Sequence, residues 1–104
     1  MIERPTEDAA RGRGLAAVDD RWRYTGALTF DDAAEVFAAS KAMPLPASGI
    51  VDFTGMTHAD SSALAVVIAL KRRATVEGRA LAATGLPSSL QSLAVVYGVE
   101  NLLD

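Results

Sequence analysis

The chain has 104 residues, half of them hydrophobic, and its ten basic against thirteen acidic residues give a formal charge of −3. That length fills one core, and the absence of cysteine with His58 as the one histidine excludes disulfides, thiolate nucleophiles and cysteine- or histidine-cluster metal centres. No apolar run is long enough to span a membrane, and an acidic balance without a basic patch interleaved with aromatics argues against a nucleic-acid partner.

Taken in order, residues 1–13 mix charges with Pro5 and Gly12 and show no periodicity, so they read as a flexible leader. They are polar where a signal peptide needs an apolar stretch, and a reducing cytosol is the expected setting. Leu15 to Val18 and Trp22 to Thr25 flank Asp19-Asp20, the pattern of two short antiparallel strands joined by a polar turn. Gly26 to Thr29 leads into a first helix. Thr29 stands at its amino cap, Asp31 and Asp32 match the positive end of its dipole, and Pro44 and Pro46 stop it after about Lys41. Ala33, Val36, Phe37 and Ser40 recur at helical spacing. Phe37, a large aromatic among small residues, reads either as core or as an anchor facing a partner.

Ile50, Val51 and Phe53 form a β-branched apolar run bounded by Ser48-Gly49 and Thr54-Gly55, which predicts a central strand. A polar turn, Met56 to Ser62, then delivers Asp60, Ser61 and Ser62 at the start of a second helix, where the first N–H groups need acceptors. At about 100° per residue, Leu64, Val67 and Ile68 face the sheet, flanked by Ala63 and Leu70. Ser62, Ala65 and Ala69 fall opposite, with Val66 and Arg73 beside them. This outward side is small and nearly uncharged, whereas a solitary surface helix carries charges there. Its cations, Lys71, Arg72 and Arg73, stand in the last turn, where they match the dipole, and together with Arg79 they read as a solvated helix end rather than a lipid-binding patch. Ala80 to Ala83 is a short apolar run of the kind a parallel sheet buries on both faces, and strand, helix, strand implies a right-handed crossover. Gly85 to Ser89 leads into a last helix through Leu90, Leu93, Ala94 and Tyr97. Val99, Leu102 and Leu103 then close the end of the sheet. The expected fold is an α/β sandwich with a mixed sheet of four to five strands covered by helices.

The stretch DFTGMTHADSSALAVVIALKRRA resembles the core motif of STAS domains, the fold of bacterial anti-sigma-factor antagonists, which carry a strand, a turn and Asp-Ser-Ser or Asp-Thr before the second helix. The likeness covers roughly Leu15 to Leu103, so residues 14–104 are expected to be a single STAS-like domain. The short length is most similar to the STAS subunit of the Mla phospholipid-transport ABC system. That resemblance implies a non-enzymatic subunit that binds a cytoplasmic ABC ATPase, and through it a permease, on the inner face of the membrane without inserting into it. Asp60, Ser61, Ser62, Ala65, Ala69 and Phe37 are then the expected partner-binding residues. The alternative implied by the same motif is an antagonist of an anti-sigma-factor kinase, in which Ser61 matches the phosphorylated serine or threonine. Ala63 departs from the family, where glycine is common.

Two further clusters are weaker sites. His58, Asp60 and Ser61 have the residue types of a catalytic triad, but a triad needs side chains that converge from separate segments, so no catalytic residue is expected. Asp52 is expected to bond local backbone. No cofactor and no metal are implied.

Overall fold

The computed structural model describes residues 14–103; the leader expected at residues 1–13 lies outside them. Strands β1 (Gly14–Val18) and β2 (Arg21–Leu28) form an antiparallel hairpin. Its turn sets Asp19 at φ 58°, a left-handed conformation that the short polar Asp side chain tolerates. Helix α1 (Phe30–Lys41), strand β3 (Ile50–Ala59), helix α2 (Ser61–Val76), strand β4 (Ala82–Thr84), helix α3 (Ser88–Val96) and a 3₁₀ turn (Glu100–Leu103) follow. The sheet order is β1-β2-β3-β4, with β2, β3 and β4 parallel. This is a four-stranded mixed α/β sheet.

Two crossovers that advance in the same direction with the same hand put α1 and α2 on one face of the sheet. The alternation of side chains agrees. Trp22, Tyr24, Val51 and Phe53 are buried toward the helices, while Arg23 and Thr54 point the other way and are exposed. Arg23 and Asp52 lie 3.9 Å apart on that second face. The buried apolar side chains form one cluster, in which Leu64, Val67, Leu70 and Ala74 of α2 meet Trp22, Val51 and Phe53 of the sheet. Each of the large ones contributes roughly 1.5–3 kcal/mol by leaving water.

Several boundaries differ from the sequence expectation, for identifiable reasons. Strand β3 does not end at Thr54-Gly55 but continues to Ala59, because Gly55, Met56 and Ala59 pair with Thr25, Gly26 and Leu28 of β2. Most of the expected turn is therefore strand. Its polar sequence follows from its position: β4 pairs only with Ile50 to Asp52, so the distal half of β3 has a neighbour on one side alone. Gly55 is required there, since a Cβ would sit 2.9 Å from the Tyr24 carbonyl oxygen. Strand β2 likewise extends past Thr25, passing register shifts around Gly26, whose φ of 106° suits glycine. Strand β4 is an edge strand with Ala82 and Thr84 exposed, not one buried on both faces. Of the tail, Val99 and Leu103 pack on the core, the 3₁₀ turn lying against α2 and α3 and Leu103 facing Ala83 of β4 across a small pocket, and Leu102 is exposed.

Candidate functional site

Helices α1 and α2 each follow a strand of the same parallel set, so they lie side by side with their amino ends together. Parallel helices align their dipoles unfavourably, and both ends of this pair are bridged by a charge of the right sign. At the amino end, Asp60 is the cap of α2. Its Oδ1 accepts the Ser62 N–H at 2.8 Å, and its Oδ2 accepts the Phe30 N–H of α1 at 3.0 Å. One carboxylate thus serves the first turns of two helices. Burial pushes its pKa upward, but the N–H bonds from Phe30 and Ser62 outweigh it and hold the group below its ordinary value. The amino cap of α1 is tied separately: the Thr29 N–H and hydroxyl both donate to Asp32 Oδ2, at 3.1 and 3.0 Å.

At the carboxyl end, Arg73 of α2 spends its guanidinium on three acceptors. Nη1 donates to the Ser40 carbonyl and Nη2 to the Met43 carbonyl, each at 2.8 Å, and Nε donates to Glu77 at 2.8 Å. The same group lies 6.0 Å from the centre of the Trp22 ring. Arg79 similarly holds the carbonyls of Leu45, Pro46 and Ala47, and Lys71 Nζ holds that of Leu81. The basic cluster expected to be a solvated helix end is a set of backbone ties, with only Arg72 outside it among the described residues. These carbonyls belong to a helix end and a loop; those of Ser40 and Pro46 also accept a backbone N–H, from Met43 at 3.1 Å and from Gly49 at 2.9 Å, and the cations meet the acceptor capacity that remains.

Between the bridged ends, the outward faces of α1 and α2 enclose a shallow groove of about 640 Å³. Phe37, Ser62, Ala65 and Ala69, all expected from the sequence, line it together with Phe30 and Ala33. Asp60 and Ser61 stand at its amino end instead of in its wall. Ser61 occupies the first position of α2, exposed, and its hydroxyl makes no hydrogen bond among the described residues. Capping falls to Asp60, so the expectation that Ser61 shares that role is corrected. Phe37 is half-buried, with the Lys41 ammonium 4.5 Å from its ring centre, and stands outside the core cluster. Its core reading is thereby replaced by a surface one. Val66, expected on the outward side, is buried at 5 % exposure, because α1 packs close enough to cover it.

Phe30 went unremarked in the sequence, where it reads as an ordinary first-turn residue. Here it is 79 % exposed at the mouth of the groove, and its backbone is pinned by Asp60. The only sequence signal is its place between a cap and two acids, which puts it outside the buried stripe of Val36 and Ser40.

The possible triad is not assembled. His58 is exposed on β3 with Nδ1 3.2 Å from Thr57 Oγ1, while Asp60 bonds Phe30 and Ser62. Asp52 accepts the Thr54 N–H at 2.9 Å and the Thr54 hydroxyl at 2.5 Å, as expected of a locally bonded carboxylate, and these bonds lower its pKa. Among the described residues no cluster of His, Cys, Asp or Glu is placed to hold a metal ion, and no helix is long and apolar enough to cross a membrane.

Over residues 14–104 the chain matches the family described as "Mlab, STAS domain". Comparison with curated proteins gives no match.

Proposed function

The chain belongs to the MlaB-type STAS family, and from that premise we propose that it is a non-enzymatic subunit of a phospholipid-transport ABC system. STAS membership itself carries an accessory or regulatory role. In the finer reading, residues 14–104 act as one binding domain that docks on the cytoplasmic ATPase through the α1–α2 groove and the Asp60-Ser61 end of α2. The ATPase in turn connects it to the permease, so it sits at the inner face of the membrane without entering it. The observation that carries this reading is the groove itself: a helix pair whose outward wall is Ala33, Ala34, Ala65 and Ala69 has small side chains where solvated helices place charges. A partner's backbone can approach such a wall closely, and burying it would favour one assembled state of the ATPase. Affinity-tagged protein purified from its own cells should bring down an ABC ATPase with its permease. Recovery of the chain without them under gentle lysis would overturn the proposal.

One observation supports a second reading, a phosphorylation-switched antagonist of an anti-sigma-factor kinase. Ser61 offers an exposed hydroxyl, without a hydrogen bond among the described residues, at a helix amino end where a phosphate meets a favourable dipole. Intact-mass measurement of the protein from growing and stressed cells tests it. The absence of any phosphorylated species would remove this reading and leave the first.

A further inference from the structure

We propose that the occupant of the α1–α2 groove is a single helix of the partner, lying antiparallel to both α1 and α2 and carrying a Lys or Arg near its carboxyl end. The inference rests on the docking reading and goes beyond it by specifying the partner's secondary structure, direction and charge.

The secondary structure follows from what the groove lacks. Its walls are two helices, whose backbone groups are bonded within each helix beyond the Phe30 and Ser62 N–H groups that Asp60 accepts, and its lining is Ala, Phe and Val with Ser62 and Asp31. An extended segment laid there would bury N–H and C=O groups against apolar side chains with nothing to pair them. A helix satisfies its own. The length is also that of a helix contact: the lining runs from Phe30 to Phe37 on α1 and from Ser62 to Ala69 on α2, about two turns or 10 Å on each wall.

The direction follows from the dipoles and the charges. Because Asp60 accepts from both Phe30 and Ser62, the positive ends of α1 and α2 are adjacent. A third helix against this pair is favoured with its negative, carboxyl end beside them. Charge at the two ends of the groove agrees. Asp31 is the one charged residue of the lining, is exposed, and makes no hydrogen bond or ion pair among the described residues, whereas Asp32 and Asp60 are occupied by their caps. At the other end a cation, Lys41, lies over Phe37. A helix with a basic residue near its carboxyl end and an acidic one near its amino end is complementary to both, and each of those placements also suits the helix's own dipole. Phe30, exposed next to Asp31, supplies the aromatic anchor that such interfaces favour.

The test uses the full-length chain in its own cells, with a photo-crosslinking benzoyl-phenylalanine placed in turn at Phe30 and Phe37, and at Val96 on α3 as a position away from the groove. The cross-linked peptides are sequenced. The expected result is that Phe30 and Phe37 attach to one partner segment in reversed order, the Phe37 site lying about seven residues earlier in the partner than the Phe30 site. A Lys or Arg within a turn of the Phe30 site, and a loss of cross-linking of about tenfold in Asp31→Arg that is restored by reversing the partner's basic residue, complete the expected pattern. The same order along the partner, a spacing of about three residues as in a strand, or attachment to lipid or to a second copy of this chain would overturn the inference. Cross-linking from Phe37 without Phe30 would do so too and leave the docking reading standing. Cross-linking to an ATPase from Val96, with none from the groove, would instead overturn the docking reading itself.

Discussion

The two ends of the α1–α2 pair solve the same electrostatic problem in opposite ways. At the carboxyl end Arg73 is fully committed, with three acceptors at 2.8 Å and the Trp22 ring beside it, and the exposed apolar side chain there, Val76 of α2, lies outside the α1–α2 groove. At the amino end Asp60 makes the same kind of bridge, yet leaves Phe30 and Ser61 exposed around it. One end is a lock and the other a lock with a face left open. The difference separates what holds the helices together from what is available to a partner, even though both ends are built on one charged side chain.

Breaking the closed end should have the larger effect on the fold. Arg73→Ala leaves the Ser40 and Met43 carbonyls without their cation and uncovers Trp22, so a loss of about 2–3 kcal/mol in urea denaturation is expected. Arg73→Lys should recover only part of it, because an ammonium cannot span two carbonyls and Glu77 with fixed geometry. Equal stability of the Ala variant and wild type would show that the bridge is ornamental.

Asp60→Ala should destabilise less, since water can replace a carboxylate at an open helix end. Asp60→Asn should fall between, keeping acceptor oxygen and losing charge. The pH dependence sharpens this. Hydrogen bonds lower the Asp60 pKa in the fold from the ordinary value of 3.8, so the folded protein binds this proton less readily than the unfolded chain. The stability it supplies is complete above that ordinary value and drains away as pH falls through the lowered one. Asp52 acts in the same direction through Thr54. Melting temperatures followed below about pH 4 should therefore drop less steeply in Asp60→Asn than in wild type. Parallel curves would contradict the assignment.

Smallest for the fold, and most selective, are changes at Ser61. With capping supplied by Asp60, Ser61→Ala should shift stability by no more than about 0.5 kcal/mol. Ser61→Asp should fold equally well, because a carboxylate in the first turn suits the dipole. Its effect is expected on the partner, which must desolvate a second carboxylate beside Asp60. An Asp variant that melts normally and binds normally would move the interface away from this end of α2.

How far these regions were legible in the sequence differs in the same sense. The open end was largely readable: Asp60, the small outward residues Ala65 and Ala69, and the uncharged first turns are all local in the chain, and helical periodicity places them together. The closed end was not. Arg73 reads as one of three consecutive cations suited to a helix terminus, and nothing local shows that its guanidinium meets carbonyls 30 and 33 residues earlier. The same limit explains β3. Thr54 to Ala59 has no alternation of apolar residues, and its strand character comes from pairing with β2, a tertiary contact. Val66 departs from its expected place and Phe37 could be read two ways, because periodicity gives a residue's angle on its own helix but not where the neighbouring helix lies.

The central claim is that the outward face of α1 and α2 is the docking surface, and Ala65→Arg tests it most directly. Ala65 is exposed in the middle of the groove wall, and arginine is a good helix former, so the fold should be unaffected. The account predicts an unchanged melting temperature together with loss of the ATPase and permease from material purified on the tagged variant. Co-purification at the wild-type level with the arginine in place would contradict it.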